Sequence, residues 1–377
     1  MRSLFPLGSI LLLGALVFGS ACESAPPEAT APVSETPPPL PLGTFSAQRA
    51  LADDAALAEL RAKGGDGSNA ALRSYVIEQL EPTQLVVETV GAPGVQGADA
   101  GVAQVRSWSQ IVATAPGDSS DLFVLVARLG EADPPQSGEQ LREEVSGAAL
   151  LLELARVLST RTLPYTTRFV WLEGDRRASA AGEDGDASGS AALLASWTAR
   201  GDLAKIRLLV ALGRVCRDDL RIARDLRSNR VHREDFYEAA VRTGHVPTFP
   251  RNQEYESVDA SHLAFRAAGV RPIVALTAAS GVSFEGHTCT AQSLDAVGAV
   301  ALDALGAIGA RLAKIDRFAR APLASPAATT PVATPPATPA PATLAPTTSD
   351  AAAPATTAPA QPPSSEPVPY GPEPANP

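Results

Sequence analysis

Carboxylates and a histidine stand in this sequence where they could act on a substrate or hold a metal. In the stretch REEVSGAALLLELARVL, Glu143 and Glu144 precede a Ser-Gly pair that predicts a tight turn into a buried helix. A carboxylate just before such a helix is well placed for metal binding or proton transfer. Asp175 follows a strand-like run, and His287 lies in the segment FEGHTCT. These residue types indicate metal-assisted hydrolysis or acid–base chemistry as the reactions to consider.

The other candidate groups have weaker patterns. His232 and His245 show no metal-ligand spacing, and His262 is predicted to begin a helix or pack against one. The acidic run at 183–189 lacks the full pattern of a calcium-binding loop, which favours a solvated loop. The sequence has no G-x-S-x-G motif, and we therefore predict no nucleophilic serine.

Apolar runs of strand length alternate with helical segments along most of the chain. Strands are predicted at 83–90, 107–115, 121–129, 166–174, 205–215 and 271–278. Helices are predicted at 46–63, 68–80, 145–160, 188–199, 231–243, 258–268 and 291–319. The alternation predicts an α/β fold, a three-layer αβα sandwich with a mostly parallel central sheet. Sites in such folds lie at the carboxyl ends of strands, here in the loops after Val126, Leu172, Leu212 and Thr277.

The two ends of the chain differ from this pattern. Residues 1–22 have the form of a signal peptide, with an apolar block too short to span a membrane comfortably. Its end, GSAC, resembles the bacterial lipoprotein processing site and makes Cys22 the expected lipidation site, with an ordinary cleaved signal as the alternative. Residues 23–43 predict a disordered, extended tether. Residues 321–377 hold half of the 34 prolines and no Lys or Arg, and predict a disordered tail.

The remaining residues, 44–320, predict one folded domain. A lipid on Cys22 would anchor this domain to a membrane of the bacterial cell envelope, the outer membrane or cell surface, without a spanning helix. The net charge of −10 argues against nucleic acid as a partner. Apart from Cys22 the chain has only Cys216 and Cys289, and such a pair in an exported protein is a disulfide candidate.

Five stretches in the same order resemble one known family. The family is the zinc exopeptidases of metallopeptidase family 28, which include bacterial aminopeptidases and the glutaminyl cyclases. The stretches are VSGAALLLELARVL, TTRFVWLEGD, GDLAKIRLLVALGRVCRDDLRI, SHLAFRAAGVRPIVAL and FEGHTCTAQSLDAV. The resemblance covers about residues 46–318 and implies the zinc-exopeptidase fold for this whole region.

The resemblance also assigns positions to the family's site. The family holds two zinc ions with a His, a bridging Asp, a Glu, a second Asp and a last His, and a neighbouring Glu is the general base. The matching positions here are Arg128, Glu143, Arg176, Gly213 and His287, with Asp175 at the position of the base. A guanidinium has no lone pair for a metal and stays charged, so Arg128 and Arg176 would oppose zinc binding.

The resemblance therefore implies a degenerate member of the family, a pseudoenzyme in which no cofactor is expected. Glu143 and His287 would be the ligands if any metal were retained. We expect a cleft lined by Arg128, Glu143, Arg176 and His287, in which Glu143 is the counter-ion of one arginine. The expected function is non-catalytic binding of a peptide or a small carboxylate, with Arg128 or Arg176 as the anion clamp.

Two alternatives remain open. An active zinc-dependent aminopeptidase or glutaminyl cyclase would need a shifted single-metal site, with Glu144, Glu173 or Asp259 as a substitute ligand. A structural envelope protein would instead use the tether and the tail as its functional parts.

The resemblance also bears on the two cysteines. In the family, the positions that match Cys216 and Cys289 approach the metal site from adjacent loops. We therefore expect the two residues to lie close enough to bond and to brace these loops. A Cα separation above about 7 Å would contradict this expectation.

Overall fold

The computed structural model describes residues 41–63, 66–92, 108–130, 138–173, 188–258, 261–279 and 287–320. The strands are β1 Val86–Ala92, β2 Trp108–Ala115, β3 Leu122–Gly130, β4 Thr166–Glu173, β5 Ile206–Leu212, β6 Arg224–Asp225, β7 Tyr255–Glu256 and β8 Ile273–Leu276. The helices are α1 Ala47–Ala62, α2 Asp66–Leu80, α3 Gly138–Leu158, α4 Ser188–Ala199, α5 Arg230–Thr243, α6 His262–Ala267 and α7 Ala291–Arg320.

Six strands form the central sheet in the order β1-β2-β4-β3-β5-β8. The pairs β4–β3, β3–β5 and β5–β8 are parallel, whereas β1–β2 and β2–β4 are antiparallel. The short strands β6 and β7 form a separate parallel pair. Because the parallel strands run together, their carboxyl ends meet at one edge, which we call the carboxyl edge.

Alternate residues of the strands point to opposite faces, as the pleat of a sheet requires. On β3, Leu125 and Ala127 belong to the larger core, which α1, α2, α3, α5 and α7 cover. Val124 and Val126 belong to the smaller core on the other face, with Trp197 of α4 and Phe265 of α6. Helices thus cover both faces of a mostly parallel sheet, and the predicted three-layer αβα sandwich is confirmed.

The largest departure from the predicted elements is the start of α3. The helix begins at Gly138 instead of Val145, so residues 146–147 lie inside it and the predicted tight turn is wrong. The helix extends because Leu141, Val145 and Ala148 continue its buried stripe toward the amino terminus. Glu143 is consequently a helical residue, and it is buried.

Smaller departures occur at the carboxyl edge, where β5 and β8 end earlier than predicted. The residues after Leu212 and Leu276 leave the strand register, and the backbone N–H of Ala278 donates to the carbonyl of Arg214 at 2.7 Å. The last helix, α7, is a single helix from Ala291 to Arg320. Its length and composition would suit a membrane span, but 50% of its most apolar window is buried in the domain.

Candidate functional site

The predicted site residues that the structure describes lie at or beside the carboxyl edge. Arg128 is half-buried near the end of β3. Ala127 pairs with Leu212 of β5, so Arg128, which is still within β3, lies at the same edge as Arg214, two residues beyond the end of β5. Asp175 and Arg176, to which the resemblance assigns the base and one metal ligand, lie outside the described residues, as do Cys22 and Asp259.

Glu143 projects from α3 into a positively charged environment. Its Oε1 lies 3.5 Å from Nη1 of Arg217, and both side chains are buried. Burial raises the pKa of Glu143, while the charges of Arg217, Arg214 and His287 act to lower it. Arg217 is thus a partner of Glu143, and it was not among the expected partners, Arg128 and Arg176.

The loop that carries Arg217 is docked on the middle of α3. The backbone N–H of Val215 donates to Oγ of Ser146 at 2.9 Å. Only glycine fits at position 147 without a shift of the backbone, because a Cβ there would lie 2.5 Å from the carbonyl oxygen of Gly213. The Ser-Gly pair thus forms the contact surface on which the end of β5 rests.

Gly213, which the resemblance matches to the family's second metal aspartate, has no room for a carboxylate. A Cβ at this residue would lie 2.5 Å from Oγ1 of Thr277. The same hydroxyl accepts a hydrogen bond from the backbone N–H of Arg214 at 3.1 Å. The junction of β5 and β8 therefore leaves no space for an acidic side chain unless Thr277 moves.

His287 joins the loop after β5 through two aspartates. Its Nδ1 lies 2.8 Å from Oδ1 of Asp218 and 3.2 Å from Oδ1 of Asp219. Nε of Arg217 donates to the same Asp219 oxygen at 2.7 Å. The hydrogen bond from His287 lowers the pKa of Asp218. We call Glu143, Arg214, Arg217, Asp218, Asp219 and His287 the charge cluster.

Four members of the charge cluster were not predicted as site residues. Arg214, Arg217, Asp218 and Asp219 all flank Cys216 in the run GRVCRDDL. Two arginines and two aspartates within three residues of a cysteine were the available signal. The sequence does not show that this run lies close to Glu143 in space, because the two are far apart in the chain.

The described residues do not fit the family's two-zinc site. Arg128 and Gly213 supply no ligand atom, and Glu143 faces the guanidinium of Arg217. Asp218, Asp219 and His287 are a different set, whose donor atoms lie within 4.8 Å of one another. That set is largely exposed, and one of its oxygens already accepts from Arg217.

The remaining candidate residues, Glu173, His262 and His232, lie close to charged side chains outside the charge cluster. Glu173 is buried and accepts from Nη1 of Arg73 at 2.7 Å. His262 is fully buried on α6, with Nε2 3.9 Å from Oδ2 of Asp225. His232 lies 3.3 Å from Asp235, on its own helix.

Cys216 and Cys289 are joined in a disulfide, with their Cα atoms 4.7 Å apart. This bond ties the loop after β5 to the segment that carries His287. The part of the charge cluster that follows β5 and the part that contains His287 are therefore covalently linked.

No family model and no curated protein matches the sequence. Solved structures do match. A glutaminyl cyclase from an Acidobacteriales bacterium is 21% identical with a TM-score of 0.57, over 75% of this chain and 100% of that one. A Bacteroides thetaiotaomicron glutaminyl cyclase bound to N-acetylhistamine gives 16% and 0.58, over 70% and 98% of the two chains. A leucine aminopeptidase precursor from the same species gives 15% and 0.57, over 70% and 98%.

The chain has the fold of the bacterial glutaminyl cyclases and zinc-dependent exopeptidases. At these identities the likeness is one of fold. The match spans nearly the whole length of each of these structures.

Proposed function

We propose that this protein is a non-catalytic relative of the zinc exopeptidases that binds a carboxylate, such as the end of a peptide, at the carboxyl edge. The observation that carries the proposal is the ion pair between Glu143 and Arg217. A guanidinium lies against the carboxylate that, by resemblance, would bridge the metals. We further propose that Cys22 is lipidated and anchors the domain in a bacterial cell envelope.

The positive charges beside Glu143 favour an anion over a cation at that point, although the charge cluster as a whole holds three carboxylates and two guanidinium groups. Arg214 and Arg217 both act on Glu143, and Arg128 lies near the carboxyl end of the neighbouring strand β3. A divalent cation placed against Glu143 would meet the positive charge of Arg217 at short range. A carboxylate that approaches from solvent would instead be attracted by these charges, and an arginine that rearranges toward it could give it two parallel hydrogen bonds.

The binding proposal is tested by calorimetric titration with an N-acetylated dipeptide and with its carboxamide. A charge-assisted hydrogen bond contributes about 1.5–3 kcal/mol, so we expect the carboxamide to bind about 10- to 100-fold more weakly. Arg214→Gln should cause a similar loss for the free acid. Arg200→Gln, which changes an exposed arginine near the end of α4, should leave binding unchanged. Equal affinity for acid and amide would overturn the proposal.

A second candidate is a hydrolase or cyclase with a single shifted metal. The supporting observation is the proximity of Asp218, Asp219 and His287. For this candidate, the purified protein should contain stoichiometric zinc and should hydrolyse an aminoacyl arylamide or cyclise an N-terminal glutamine. His287→Ala should remove both zinc and activity. Zinc well below one per chain, together with no turnover, would reject the candidate.

A further inference from the structure

The disulfide lies against a buried carboxylate that does not belong to the charge cluster. Oδ2 of Asp54, on α1, is 3.1 Å from Sγ of Cys289. One donor atom from each of Asp54, Cys216 and Cys289 can be chosen so that all three lie within 4.8 Å. The three residues are 0%, 1% and 9% exposed, respectively.

We propose that reduction of this disulfide creates a binding site for a thiophilic divalent cation such as zinc, with Cys216, Cys289 and Asp54 as ligands. Thiolates select zinc and similar ions over magnesium or calcium. The proposal concerns residues outside the carboxylate-binding site and is independent of the proposed function.

The chemistry balances with a dithiol as the reductant. The dithiol transfers two electrons and two protons to the disulfide and becomes a disulfide itself, while Cys216 and Cys289 become thiols. Binding of the cation then displaces both thiol protons to solvent and leaves two thiolates as ligands. Reoxidation by a disulfide reverses the sequence and releases the cation.

The geometry requires only a small rearrangement. Two thiolates on one tetrahedral zinc ion lie about 3.8 Å apart, since each Zn–S bond is about 2.3 Å long. The sulfurs of a disulfide are about 2 Å apart, so rotation of the two side chains can supply the difference. The Cα separation of 4.7 Å is already short enough for both sulfurs to reach one ion.

Two neighbouring side chains complete the surroundings. Glu139, exposed at the start of α3, accepts from the backbone N–H of Cys289 at 3.4 Å and offers a further oxygen near the site. Arg142 donates to Oδ2 of Asp54 at 2.9 Å. The arginine orients the carboxylate and offsets part of the negative charge that the two thiolates add.

The experiment is a titration of the full chain with Co²⁺, once with the disulfide intact and once after reduction by a dithiol that is then removed without oxygen. We expect equimolar Co²⁺ binding with sulfur-to-cobalt charge-transfer absorption in the reduced protein. We expect no such absorption in the oxidised protein. Far-ultraviolet circular dichroism should show that the reduced chain keeps its fold.

Asp54→Asn is the diagnostic variant because it keeps the shape of the side chain and the cysteines. We expect it to weaken Co²⁺ binding more than the roughly 10- to 100-fold that loss of a ligand's outer partner causes. Glu59→Gln, which alters an exposed carboxylate on the same helix as Asp54, should leave the titration unchanged. The proposal is overturned if reduction unfolds the chain, if no charge-transfer band appears, or if Asp54→Asn binds Co²⁺ like the parent.

Discussion

Glu173, at the carboxyl end of β4, shows how one buried charge depends on one partner. Its two oxygens lie 2.8 and 2.7 Å from Nη1 of Arg73, and one of them accepts from the backbone N–H of Ser109 at 3.2 Å. Burial raises the pKa of Glu173, and the charge of Arg73 acts to lower it. This pairing makes Glu173 a structural carboxylate and argues against its use as a substitute metal ligand.

Removal of the partner should therefore destabilise the protein in a pH-dependent way. In Arg73→Gln the buried carboxylate loses its cation, and the unfolding free energy at neutral pH should fall by about 3 kcal/mol. The folded pKa of Glu173 would rise further above its ordinary value of 4.5, so the fold would favour the protonated acid. The loss should be fully present above the folded pKa and should shrink as the pH falls toward 4.5.

Urea unfolding at neutral and at acidic pH measures this effect. Arg251→Gln is the matched control, because Arg251 is 48% exposed and pairs at 3.8 Å with Glu234, which is 43% exposed. Exposed pairs contribute about 0–1 kcal/mol, so the control should change little at either pH. A loss of equal size at both pH values would show that Glu173 is not responsible.

Helix α3 supports the carboxyl edge through two small residues in its middle. Ser146 binds the backbone of Val215, and Gly147 lets the end of β5 approach closely. The helix also presents Glu143 to Arg217. A local change at the Ser-Gly pair should therefore disturb the strand end and the charge cluster together.

Gly147→Ala tests this contact. The added Cβ would lie 2.5 and 2.6 Å from the carbonyl oxygens of Gly213 and Leu212, where backbone must move. We expect the unfolding free energy to fall by about 1–3 kcal/mol. Gly138→Ala is the control in the same helix, since a Cβ there meets nothing within 4 Å. Thermal unfolding that shows equal stability for the two variants would contradict the close approach.

At the scale of the whole molecule, the disulfide joins parts of the chain that are 73 residues apart. The closed loop includes β8 and the helices α5 and α6, so the bond restricts a large part of the unfolded chain. In the chain-entropy model, a loop of this length contributes about 4 kcal/mol to stability.

The double variant Cys216→Ser/Cys289→Ser should lose about this amount in denaturant unfolding with a chelator present. Reduction of the parent protein should give the same shift, whereas the variant should not respond to reductant. If the parent's midpoint is unchanged by complete reduction, the bond does not contribute as we expect.

The residue types and their order were enough to predict the layered α/β fold. They were also enough to show that two positions matched to zinc ligands carry no ligand atom. Alternating apolar runs and helical segments specify a covered parallel sheet because each element must bury one apolar face. The side-chain types at Arg128 and Gly213 exclude metal coordination wherever they lie, because neither supplies a ligand atom. The family resemblance linked these local patterns to one topology.

The tertiary structure alone decided which groups face each other. The pairing of Glu143 with Arg217 depends on how the loop after β5 is held by Ser146, Thr277 and the disulfide. These contacts join residues distant in sequence, and the period of a helix or strand carries no information about them. The start of α3 was missed for a different, local reason. A buried stripe that continues through Leu141 outweighed the turn suggested by a Ser-Gly pair.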